Sequence, residues 1–487
     1  IHLLTMLGCD EVIGRTDFIA TSDFKAFCNY AYNPESRYLY DAWYALYAGI
    51  YRANNVIENA VSVEMDNNRK AEIIAEARYL RAFYYSYLTC FWGAVPTPIS
   101  TEDNILAPRS NIQAVYEIII DDFKHAYEAL PERNSLYSSR INKYAAAGML
   151  AKAYLYLASC KENNVGKEFN FELNSFDWVN AGECYATTFD LCKDVVENSG
   201  YILHDEYRYM FMADNTPVKS EQIKEAMMIA PNGRDGMRYF AFTNLTGPAG
   251  NVNTNGGGAG WFPAMGELAE LYNTQDARYK QNIGGALLTT KEAILNVEYY
   301  LPSGLYQSGT NCFLTKFRQS TPESRTAAGI PTYSSILNLP ILRFSDVILM
   351  YSEAAYKTGN EPLARSIMEA IRLRAAKNNQ NTADLLTGAY YKADFMEELK
   401  DERSRELCGE GWRRFDLIRW GKLGEVVANL QTTNLNNVAP DVYYYNTLFA
   451  QPVKDNFENY KIWYPVPLRE IEVNRSLKQN PGYAGAD

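Results

Sequence analysis

The feature that most constrains the fold is a helical period of apolar residues in paired segments. In residues 69–92, apolar side chains recur every three or four positions, which is the period of one helix face. Pro96 and Pro98 end that pattern. Residues 40–60 have the same period. The two segments together predict a helical hairpin.

Further helix pairs are predicted later in the chain. Residues 141–158 and 184–198 form one amphipathic pair, with small residues in the first helix that allow close packing. Residues 344–355 and 362–376 form another pair, separated by a Gly-Asn break. Pairs of this kind are typical of tetratricopeptide units, and about four such units are expected around an insertion.

The insertion covers about residues 200–340 and is rich in Gly, Asn, Thr and aromatic residues. Within it, residues 294–300 predict a short strand and residues 265–272 predict one helix. Long loops are usually functional or disordered, and the aromatic residues argue against disorder. The predicted fold class is therefore mainly α, a tetratricopeptide-like helical-pair scaffold with an irregular, loop-rich inserted lobe containing short strands.

Charge and hydropathy exclude two classes of partner. The chain has 58 acidic and 47 basic residues, a net charge of −11, and no basic block. Nucleic acid and an anionic bilayer surface are therefore not expected ligands. No apolar run approaches the roughly 20 residues that a membrane-spanning helix needs.

Tyrosine is over-represented, with 38 Tyr against 21 Phe and 7 Trp. A tyrosine ring can be buried in a helical core while its hydroxyl stays in water. Exposed rings can also form a platform for a sugar, because the C–H faces of a sugar stack on aromatic surfaces. Both roles can hold in the same protein.

The cysteines and histidines give no metal or cofactor pattern. The eight cysteines form no Cys-x-x-Cys pair and have no metal-like spacing with the three histidines, so neither zinc nor haem is predicted. We expect no cofactor and mostly free, buried cysteines. His2, His125 and His204 lie outside any recognisable Ser/Asp context, so the usual nucleophilic catalysis has no visible participants. The cysteines are Cys9, Cys28, Cys90, Cys160, Cys184, Cys192, Cys312 and Cys408.

The first nine residues superficially resemble a bacterial lipobox that ends at Cys9. They have no cationic segment before them, and their apolar part is very short. We therefore expect this stretch to form the first helix of a chain whose signal peptide and anchoring cysteine lie upstream.

The charged segment at residues 401–419 is where an enzyme could be imagined. Asp401 with Arg405, and Asp416 with Arg419, have the spacing of intrahelical ion pairs. Acid/base catalysis would need a carboxylate whose pKa is raised in a cleft, and the sequence shows no sign of one. We interpret the segment as a buried Arg/Glu network that joins helices, and interpret Arg343 with Asp346, and Glu76 with Arg78 and Arg81, in the same way.

The C-terminal tail, residues 463–483, is rich in proline and asparagine. Pro465 and Pro467 disfavour a helix there, and Asn480-Pro481-Gly482 predicts a turn. A tail of this rigidity is expected to pack against its own domain.

Four further motifs join this tail in a family resemblance that spans about 90% of the chain. The chain resembles the SusD/RagB-type nutrient-binding outer-membrane lipoproteins, with Ser345, Ser352 and Trp92 as minor departures. The motifs are the A-E-A-R-x-L-R-A helix with its G-x-V-P turn at 75–96, the weaker segment at 263–278, the P-x-x-R helix at 340–354 and the E-R-x-x-E-L segment at 402–421.

The resemblance implies both an architecture and a function. It implies a single SusD-like domain over residues 1–487, with a helical scaffold at about 1–200 and 340–487 and a variable ligand-binding lobe at about 200–340. It also implies a surface-exposed, lipid-anchored outer-membrane protein of a Bacteroidota nutrient-uptake system. Such a protein is not an enzyme, and it delivers oligosaccharide to a SusC-like TonB-dependent transporter.

The resemblance gives ligand-binding regions, which are the loop after the G-x-V-P turn and the inserted lobe. Within them we select exposed-looking aromatic and polar residues. Trp43, Trp92, Trp412 and Trp420 are instead assigned to the core. The candidate ligand-binding residues are Trp261, Phe262, Tyr239, Asn253 and Asn255 in the lobe, and Asp103 and Asn104 in the loop.

Two other classes of function remain open at this point. One is an α-helical glycoside-cleaving enzyme with two carboxylates across an aromatic cleft. The other is a helical-repeat adaptor that binds only protein. A peptide or glycoprotein ligand is a variant of the nutrient-binding hypothesis, since the sequence does not name the glycan.

Overall fold

The computed structural model of the protein divides the chain into two compact units. Unit 1 comprises Ile1–Tyr30, Tyr201–Arg414 and Glu425–Asn456, and unit 2 comprises Ala31–Gly200, Phe415–Gly424 and Phe457–Asp487. The structure describes residues 1–15, 22–132, 140–211, 224–230, 246, 261–284, 313–317, 338–432 and 444–485.

The described part of the chain is mainly helical, as predicted. Its helices are α1 His2–Met6, α2 Ser22–Cys28, α3 Arg37–Asn59, α4 Asn67–Trp92, α5 Ile112–Ala129, α6 Lys143–Glu162, α7 Ala181–Asn198, α8 Gly266–Glu270, α9 Ala277–Asn282, α10 Phe344–Lys357, α11 Glu361–Ala375, α12 Gln380–Tyr390, α13 Phe395–Leu407, α14 Arg413–Arg419, α15 Leu423–Asn429, α16 Tyr444–Asn456 and α17 Leu468–Val473. Its strands are β1 Ala226–Ala230, β2 Ile283–Gly284, β3 Phe313–Leu314 and β4 Leu339–Arg343.

Unit 2 is built from helices α3 to α7, each of which packs against the next along the chain. The hairpin of α3 and α4 and the pair of α6 and α7 are both as predicted. Side-chain caps fix where these helices begin, because each cap accepts hydrogen bonds from otherwise unpaired N–H groups. Asp66 accepts from the N–H of Arg69 at 2.9 Å, and Asn142 accepts from the first turn of α6.

The core of unit 2 is aromatic. Trp43 and Trp92 meet edge to face with their ring centroids 5.0 Å apart. Phe91 packs on Trp92 and on Phe415. Because Trp412 and Trp420 are also buried in the structure, the assignment of all four tryptophans to the core is confirmed.

The C-terminal tail docks on unit 2, as predicted. The N–H of Tyr464 donates to the carbonyl of Phe91 at 2.7 Å, and the indole of Trp92 donates to the carbonyl of Pro465 at 2.9 Å. The segment is extended up to Pro467, after which α17 begins. Gly482 has a φ of +82°, which agrees with the predicted turn.

Unit 1 contains the other predicted helix pair, α10 with α11, and two small sheets. α11 also packs on α12, and α10 packs on α13. β1 and β4 pair antiparallel, and their register is irregular. The two-residue strands β2 and β3 also pair antiparallel, in regular register. The predicted helix at 265–272 is shorter than expected and forms α8, whereas the predicted strand at 294–300 lies outside the described residues.

A network of buried charges joins α13 to the strands and helices of unit 1, which confirms the structural interpretation of this segment. Arg343 contacts Glu225, Glu406 and Glu410, and Arg278 contacts Glu402 and Glu406, all at 2.5–3.1 Å. All six side chains are at most 3% exposed. Burying an unpaired charge is costly in free energy, and the ion pairs and hydrogen bonds of this network compensate these side chains for the water that they lose.

One of the two predicted intrahelical ion pairs was wrong. Asp401 pairs with Lys392 at 2.5 Å, and Arg405 pairs with Glu402 at 2.9 Å rather than with Asp401. The pair of Asp416 and Arg419 forms as predicted, at 2.8 Å.

The two other local groups join separate parts of the chain, which is the structural role expected of them, but they do so through partners that are distant in the sequence. Arg343 does not pair with Asp346, which contacts Arg403 at 3.0 Å. In unit 2, Glu76 contacts Arg140. Arg78 and Arg81 both contact Asp122, at 2.6 and 2.7 Å. These charged side chains therefore pair with residues that the fold brings near them, and not with charged residues close to them in the sequence.

The first residues form helix α1, as expected, and Cys9 follows it in a buried turn. The Cys9 thiol donates to the carbonyl of Met6 at 3.1 Å. None of the seven cysteines that the structure describes forms a disulfide bond, and five of them are buried. Cys312 lies outside the described residues.

Candidate ligand-binding site

The loop after the Gly93–Pro96 turn, residues 96–110, is held by side chains of unit 2 and is named the Pro96 loop here. The hydroxyl of Tyr47 donates to the carbonyl of Pro96 at 2.8 Å. At Pro98, the carbonyl accepts from Tyr85 at 2.8 Å and from Asn54 at 3.1 Å. Both prolines thus serve as fixed points of the loop.

Arg81 connects this loop to the charged core of unit 2. Its guanidinium donates to the carbonyl of Ile99 at 3.0 Å and to the side chain of Asn54 at 2.9 Å. It is itself oriented by Asp122, which is 1% exposed and accepts two of its N–H groups at 2.7 and 2.9 Å. Because each member restrains the next, the start of the loop is preorganised.

Asp103 and Asn104, both predicted to contact ligand, shape the Pro96 loop. One carboxylate oxygen of Asp103 accepts from the N–H groups of Ile99 and Ser100 at 2.7 and 2.9 Å. The side-chain oxygen of Asn104 accepts from the N–H of Leu106 at 2.9 Å, which leaves its NH₂ group as the donor available to a ligand. Asn104 is exposed. The loop is thus a rigid turn that presents an amide.

The Pro96 loop also exposes large apolar side chains. Ile99, Ile105 and Leu106 are 50%, 82% and 46% exposed. Thr101, in the same loop, donates both its N–H and its hydroxyl to Glu58 of α3, at 2.8 and 2.5 Å. These bonds hold an apolar surface in a fixed position.

A row of tyrosines on α3 lies beside this loop, and we call Tyr40, Tyr44 and Tyr51 the tyrosine ridge. Tyr44 and Tyr51 are 63% and 58% exposed. They are seven residues apart, so they lie two helical turns, about 10.5 Å, from each other on one face. Tyr47 and Asn54, which hold the loop, each follow a ridge residue by three positions and are therefore its neighbours on the helix surface.

The N-terminal end of the ridge is also ordered by contacts. The rings of Tyr40 and Tyr44 stack with centroids 6.3 Å apart and planes 23° apart. The guanidinium of Arg469, in α17, lies 5.1 Å from the centroid of the Tyr40 ring. The side chain of Asn474, just after α17, donates to the carbonyl of Ala107 at 2.8 Å. The ridge, the Pro96 loop and α17 therefore form one continuous surface of unit 2.

The sequence prediction missed the tyrosine ridge. Tyr40, Tyr44 and Tyr51 are absent from the buried period of α3, which contains Trp43, Leu46 and Ile50. The signal was available as large aromatics that fall off the apolar face at helical spacing.

Trp261 and Phe262 belong to unit 1, where they pair with the N-terminal strand-like segment. The N–H of Arg15 donates to the carbonyl of Trp261 at 2.8 Å, and that of Ile13 donates to the carbonyl of Pro263 at 3.1 Å. Trp261 is partly exposed, whereas Phe262 is fully buried and meets Phe24 edge to face at 5.6 Å. A ligand could reach the Phe262 ring only if the residues around it moved.

The other predicted lobe residues, Tyr239, Asn253 and Asn255, lie outside the described residues, as does the Gly-rich run at 256–260. Trp261 and Phe262 belong to unit 1, and Asp103 and Asn104 belong to unit 2.

Two buried carboxylates of unit 1, Glu402 and Glu406, are poorly suited to proton transfer. Burial alone would raise the pKa of Glu406, but Arg374, Arg343 and Arg278 hold it well below its usual range. The pKa of Glu402 is likewise held low, against the effect of burial, by Arg278, Arg405 and Arg372. Both groups stay ionised and bonded, so they stabilise the fold rather than supply a general acid.

Within the ranges that the structure describes, no group of three His, Cys, Asp or Glu side chains could hold a metal ion. Over the same ranges, no helix combines the length and the hydropathy needed to cross a membrane.

Two family profiles match this chain, and together they cover most of its length. The sequence profile of the SusD family matches residues 220–483, which is more than half of the chain. The chain belongs to the SusD family. A second profile, described as starch-binding and associating with outer membrane, matches residues 8–155.

Individual relatives of this SusD-family chain have low sequence identity to it, but they align with most of its length. A SusD-like protein of Bacteroides ovatus is 26% identical over 391 residues, covering 78% of this chain and 65% of the relative. SusD-like protein P25 of Formosa agariphila is 25% identical and covers 91% and 79%. The starch-binding protein SusD of Bacteroides thetaiotaomicron is 24% identical and covers 84% and 72%. The chain thus spans less than two thirds of the Bacteroides ovatus relative.

Solved structures show the same fold along nearly the whole chain. A SusD homologue of Bacteroides thetaiotaomicron superposes with a TM-score of 0.75 at 21% identity, covering 99% of this chain and 92% of that one. A laminarin-binding SusD-like protein gives a TM-score of 0.70 at 21% identity, covering 99% and 94%. A structure with xylogluco-oligosaccharide gives 0.72 at 20% identity, covering 97% and 93%.

Proposed function

We propose that this protein captures an oligosaccharide at the outer surface of the outer membrane and delivers it to a SusC-like TonB-dependent transporter, without catalysis. The observation that carries this proposal is the tyrosine ridge beside the anchored Pro96 loop, in a chain of the SusD family. Relatives and structural neighbours that bind starch, laminarin and xylogluco-oligosaccharide support it.

The chemistry of the surface suits a glycan. The exposed rings of Tyr44 and Tyr51 offer flat apolar areas on which the C–H faces of sugar rings can stack. The Asn104 amide and the tyrosine hydroxyls offer donors and acceptors for sugar hydroxyls. The surface is open, so affinity would come from several weak contacts made together rather than from one deep pocket.

The inserted lobe is proposed to choose among glycans. In this proposal, the chain is a single SusD-like domain. A helical scaffold at about residues 1–200 and 340–487 would carry a variable ligand-binding lobe at about residues 200–340. Trp261, with its partly exposed ring, is the strongest described candidate there, and Tyr239, Asn253 and Asn255 stay in the proposal. Phe262 would support Trp261 from the core, since its ring is buried.

The transporter partner is proposed from the apolar side chains of the Pro96 loop. Ile99, Ile105 and Leu106 are large and exposed, which costs free energy in water and is common at protein interfaces. A SusC-like partner that covers them would also enclose a glycan held on the adjacent ridge. A lipid anchor would hold the protein at the outer membrane, in keeping with the profile that describes association with the outer membrane.

Affinity gels with starch, laminarin and xyloglucan test this function. Wild-type protein should be retarded by at least one polysaccharide without producing new reducing ends. Replacing both Tyr44 and Tyr51 by Ala should lower the affinity by about tenfold or more, because two stacking surfaces are removed.

Tyr38→Ala is the matched control, since Tyr38 lies on α3 about a third of a turn around the axis from Tyr44. It should bind like wild type. New reducing ends would identify a glycoside-cleaving enzyme instead, and no retardation by any of the three glycans would favour the protein-binding adaptor. Retardation that survives the double substitution would place the site elsewhere.

A further inference from the structure

Unit 1 has an exposed aromatic ring beside a polar cleft, away from Trp261 in the sequence. Tyr391 directly follows α12, and its side chain is 60% exposed. The adjoining cleft has a volume of about 320 Å³ and is lined in part by Glu270, Asn273, Tyr390 and Arg405. This volume lies within the range of sites that hold small ligands.

The Tyr391 ring is held in place by its neighbours. The next residue, Lys392, is bonded through its N–H to Glu398 at 2.9 Å, and its carbonyl accepts from Arg365 at 3.1 Å. The guanidinium of Arg365 also lies 4.8 Å from the centroid of the Tyr391 ring. A cation on one side fixes the orientation of the ring and leaves its exposed surface for a ligand.

The floor of the cleft is equally well ordered. The guanidinium carbon of Arg405 lies 3.7 Å from the centroid of the Tyr390 ring. The Tyr390 hydroxyl accepts from the N–H of Asn273 at 2.8 Å and donates to Asp276 at 3.0 Å. A floor built from such contacts needs no rearrangement when a ligand binds, which lowers the cost of binding.

The charges of the cleft favour a neutral ligand. Lys392 and Asp401 neutralise each other at 2.5 Å, and Arg405 is paired with Glu402. Glu270 adds an exposed carboxylate, which would repel a sulfate or a uronate. The side-chain oxygen of Asn273 accepts from Gln275 at 2.9 Å, so its amide offers a ligand the NH₂ donor.

The cleft combines a hydrogen-bond acceptor, the Glu270 carboxylate, with a donor, the Asn273 amide, and with the aromatic face of Tyr391. This combination matches the chemistry of a sugar ring. Sugar hydroxyls both donate and accept hydrogen bonds, and the C–H face of the ring stacks on an aromatic side chain. We infer that this cleft is a second glycan-contacting site, which takes an uncharged sugar unit against Tyr391. The inference rests on the proposed function and adds a site in unit 1 to the surface of unit 2.

The test uses the full chain in affinity gels that contain starch, laminarin or xyloglucan. With the polysaccharide that retards the wild type, Tyr391→Ala should lower the affinity about three- to tenfold through loss of stacking. Tyr391→Phe should keep most of the affinity, and Glu270→Ala should lower it about threefold through loss of one hydrogen bond. Leu385→Ala, which changes another exposed side chain in the same unit, should bind like wild type.

Each outcome decides between the two proposals. If the wild type is retarded and the Tyr391→Ala variant is retarded equally, the second site is wrong and the proposed function stands. If none of the three polysaccharides retards the wild type, the proposed function fails and the second site fails with it. Equal thermal unfolding midpoints for the variants and the wild type would show that a lost affinity does not come from lost folding.

Discussion

At the scale of single residues, Arg343 uses its complete set of donors in the buried network. Its five N–H groups reach Glu225, Glu406 and Glu410, including the backbone carbonyl of Glu406, at 2.5–3.1 Å. A planar guanidinium can serve these acceptors at once, whereas a lysine ammonium has three donors around one point. The geometry of the side chain therefore matters as much as its charge.

We expect Arg343→Lys to lower the free energy of unfolding by about 2–4 kcal/mol, and Arg343→Ala by about 3–5 kcal/mol. Both substitutions remove charge-assisted hydrogen bonds from the buried carboxylates of Glu225, Glu406 and Glu410, and lysine can keep only part of these bonds. Urea unfolding of the full chain, followed by circular dichroism, measures the difference.

Arg37→Lys is the control for this pair of variants, because the Arg37 side chain is 80% exposed and 3.4 Å from Asp41. It should change the free energy of unfolding by less than about 0.5 kcal/mol. Equal stability of Arg343→Lys and wild type would mean that the charge alone is sufficient.

Glu11 is a buried carboxyl group of unit 1 that should make stability depend on pH. It is 2% exposed and accepts from Ser404 and from the N–H of Gly409, both at 3.1 Å. Burial raises its pKa from 4.5 to about 7, against the opposing charge of Arg413. The folded protein therefore keeps a proton that the unfolded chain releases between these two values.

Because the pKa is higher in the folded state, the stabilisation is complete below pH 4.5 and is lost as the pH rises through 7. We expect a loss of up to about 3 kcal/mol in the free energy of unfolding over this window. Glu11→Gln should remove this dependence, since an amide does not titrate.

Urea unfolding at a series of pH values, with wild type and Glu11→Gln compared at each, isolates the contribution of this group. Parallel pH profiles for the two proteins would contradict the raised pKa of Glu11.

At the scale of elements, the C-terminal tail is joined to unit 2 by Asn480. Its side-chain NH₂ donates to the carbonyls of Trp92 and Tyr464 at 3.0 and 2.8 Å. Its side-chain oxygen accepts from Arg109 at 2.7 Å. One fully buried amide therefore links α4, the extended tail and the Pro96 loop.

We expect Asn480→Ala to lower the free energy of unfolding by about 2–4 kcal/mol, because it removes three buried hydrogen bonds. Limited proteolysis should also cut the tail faster in the variant, since its docking contacts are weakened. Asn68→Ala, an exposed position in the first turn of α4, should change neither measurement. A tail that stays protected in Asn480→Ala would show that its other docking contacts are enough to hold it.

The helices were predictable because their signals are local. The apolar period of α4 and its proline stop give the helix almost to the residue, Asn67–Trp92 against 69–92. Asparagine caps such as Asn142 and Asn360 mark helix starts through contacts only two or three residues away. Period and capping act within a few residues, so a sequence displays them directly.

The ion pairs and the ligand surface were less predictable because their partners are distant in the chain. Asp401 and Arg405 have ideal spacing for a pair, yet each takes a different partner in the folded unit. Phe262 looked exposed in a Gly-rich run but is buried against Phe24. The exposure of Tyr44 and Tyr51 depends on which face of α3 packs against α4, and a tyrosine is compatible with either side.

At the scale of the whole molecule, each unit is assembled from separate stretches of chain. Residues 415–424 and the C-terminal tail belong with Ala31–Gly200, and the segment Ile1–Tyr30 belongs with Tyr201–Arg414. Such grouping depends on contacts between residues hundreds of positions apart, such as that between Trp92 and Pro465. No local pattern of period or composition encodes it.

The sequence by itself determined the helical class, the helix pairs, the docked tail and the family, because apolar period, proline and glycine placement and ordered motifs are all written along the chain. Tertiary structure alone decided which charges meet, which aromatic rings are buried and which are exposed. It buried some of the many tyrosines, such as Tyr79 and Tyr85, in helical cores and left those of the tyrosine ridge on the surface of α3. The physical reason is that burial and pairing are properties of the space around a side chain, which is set by residues far away in the sequence.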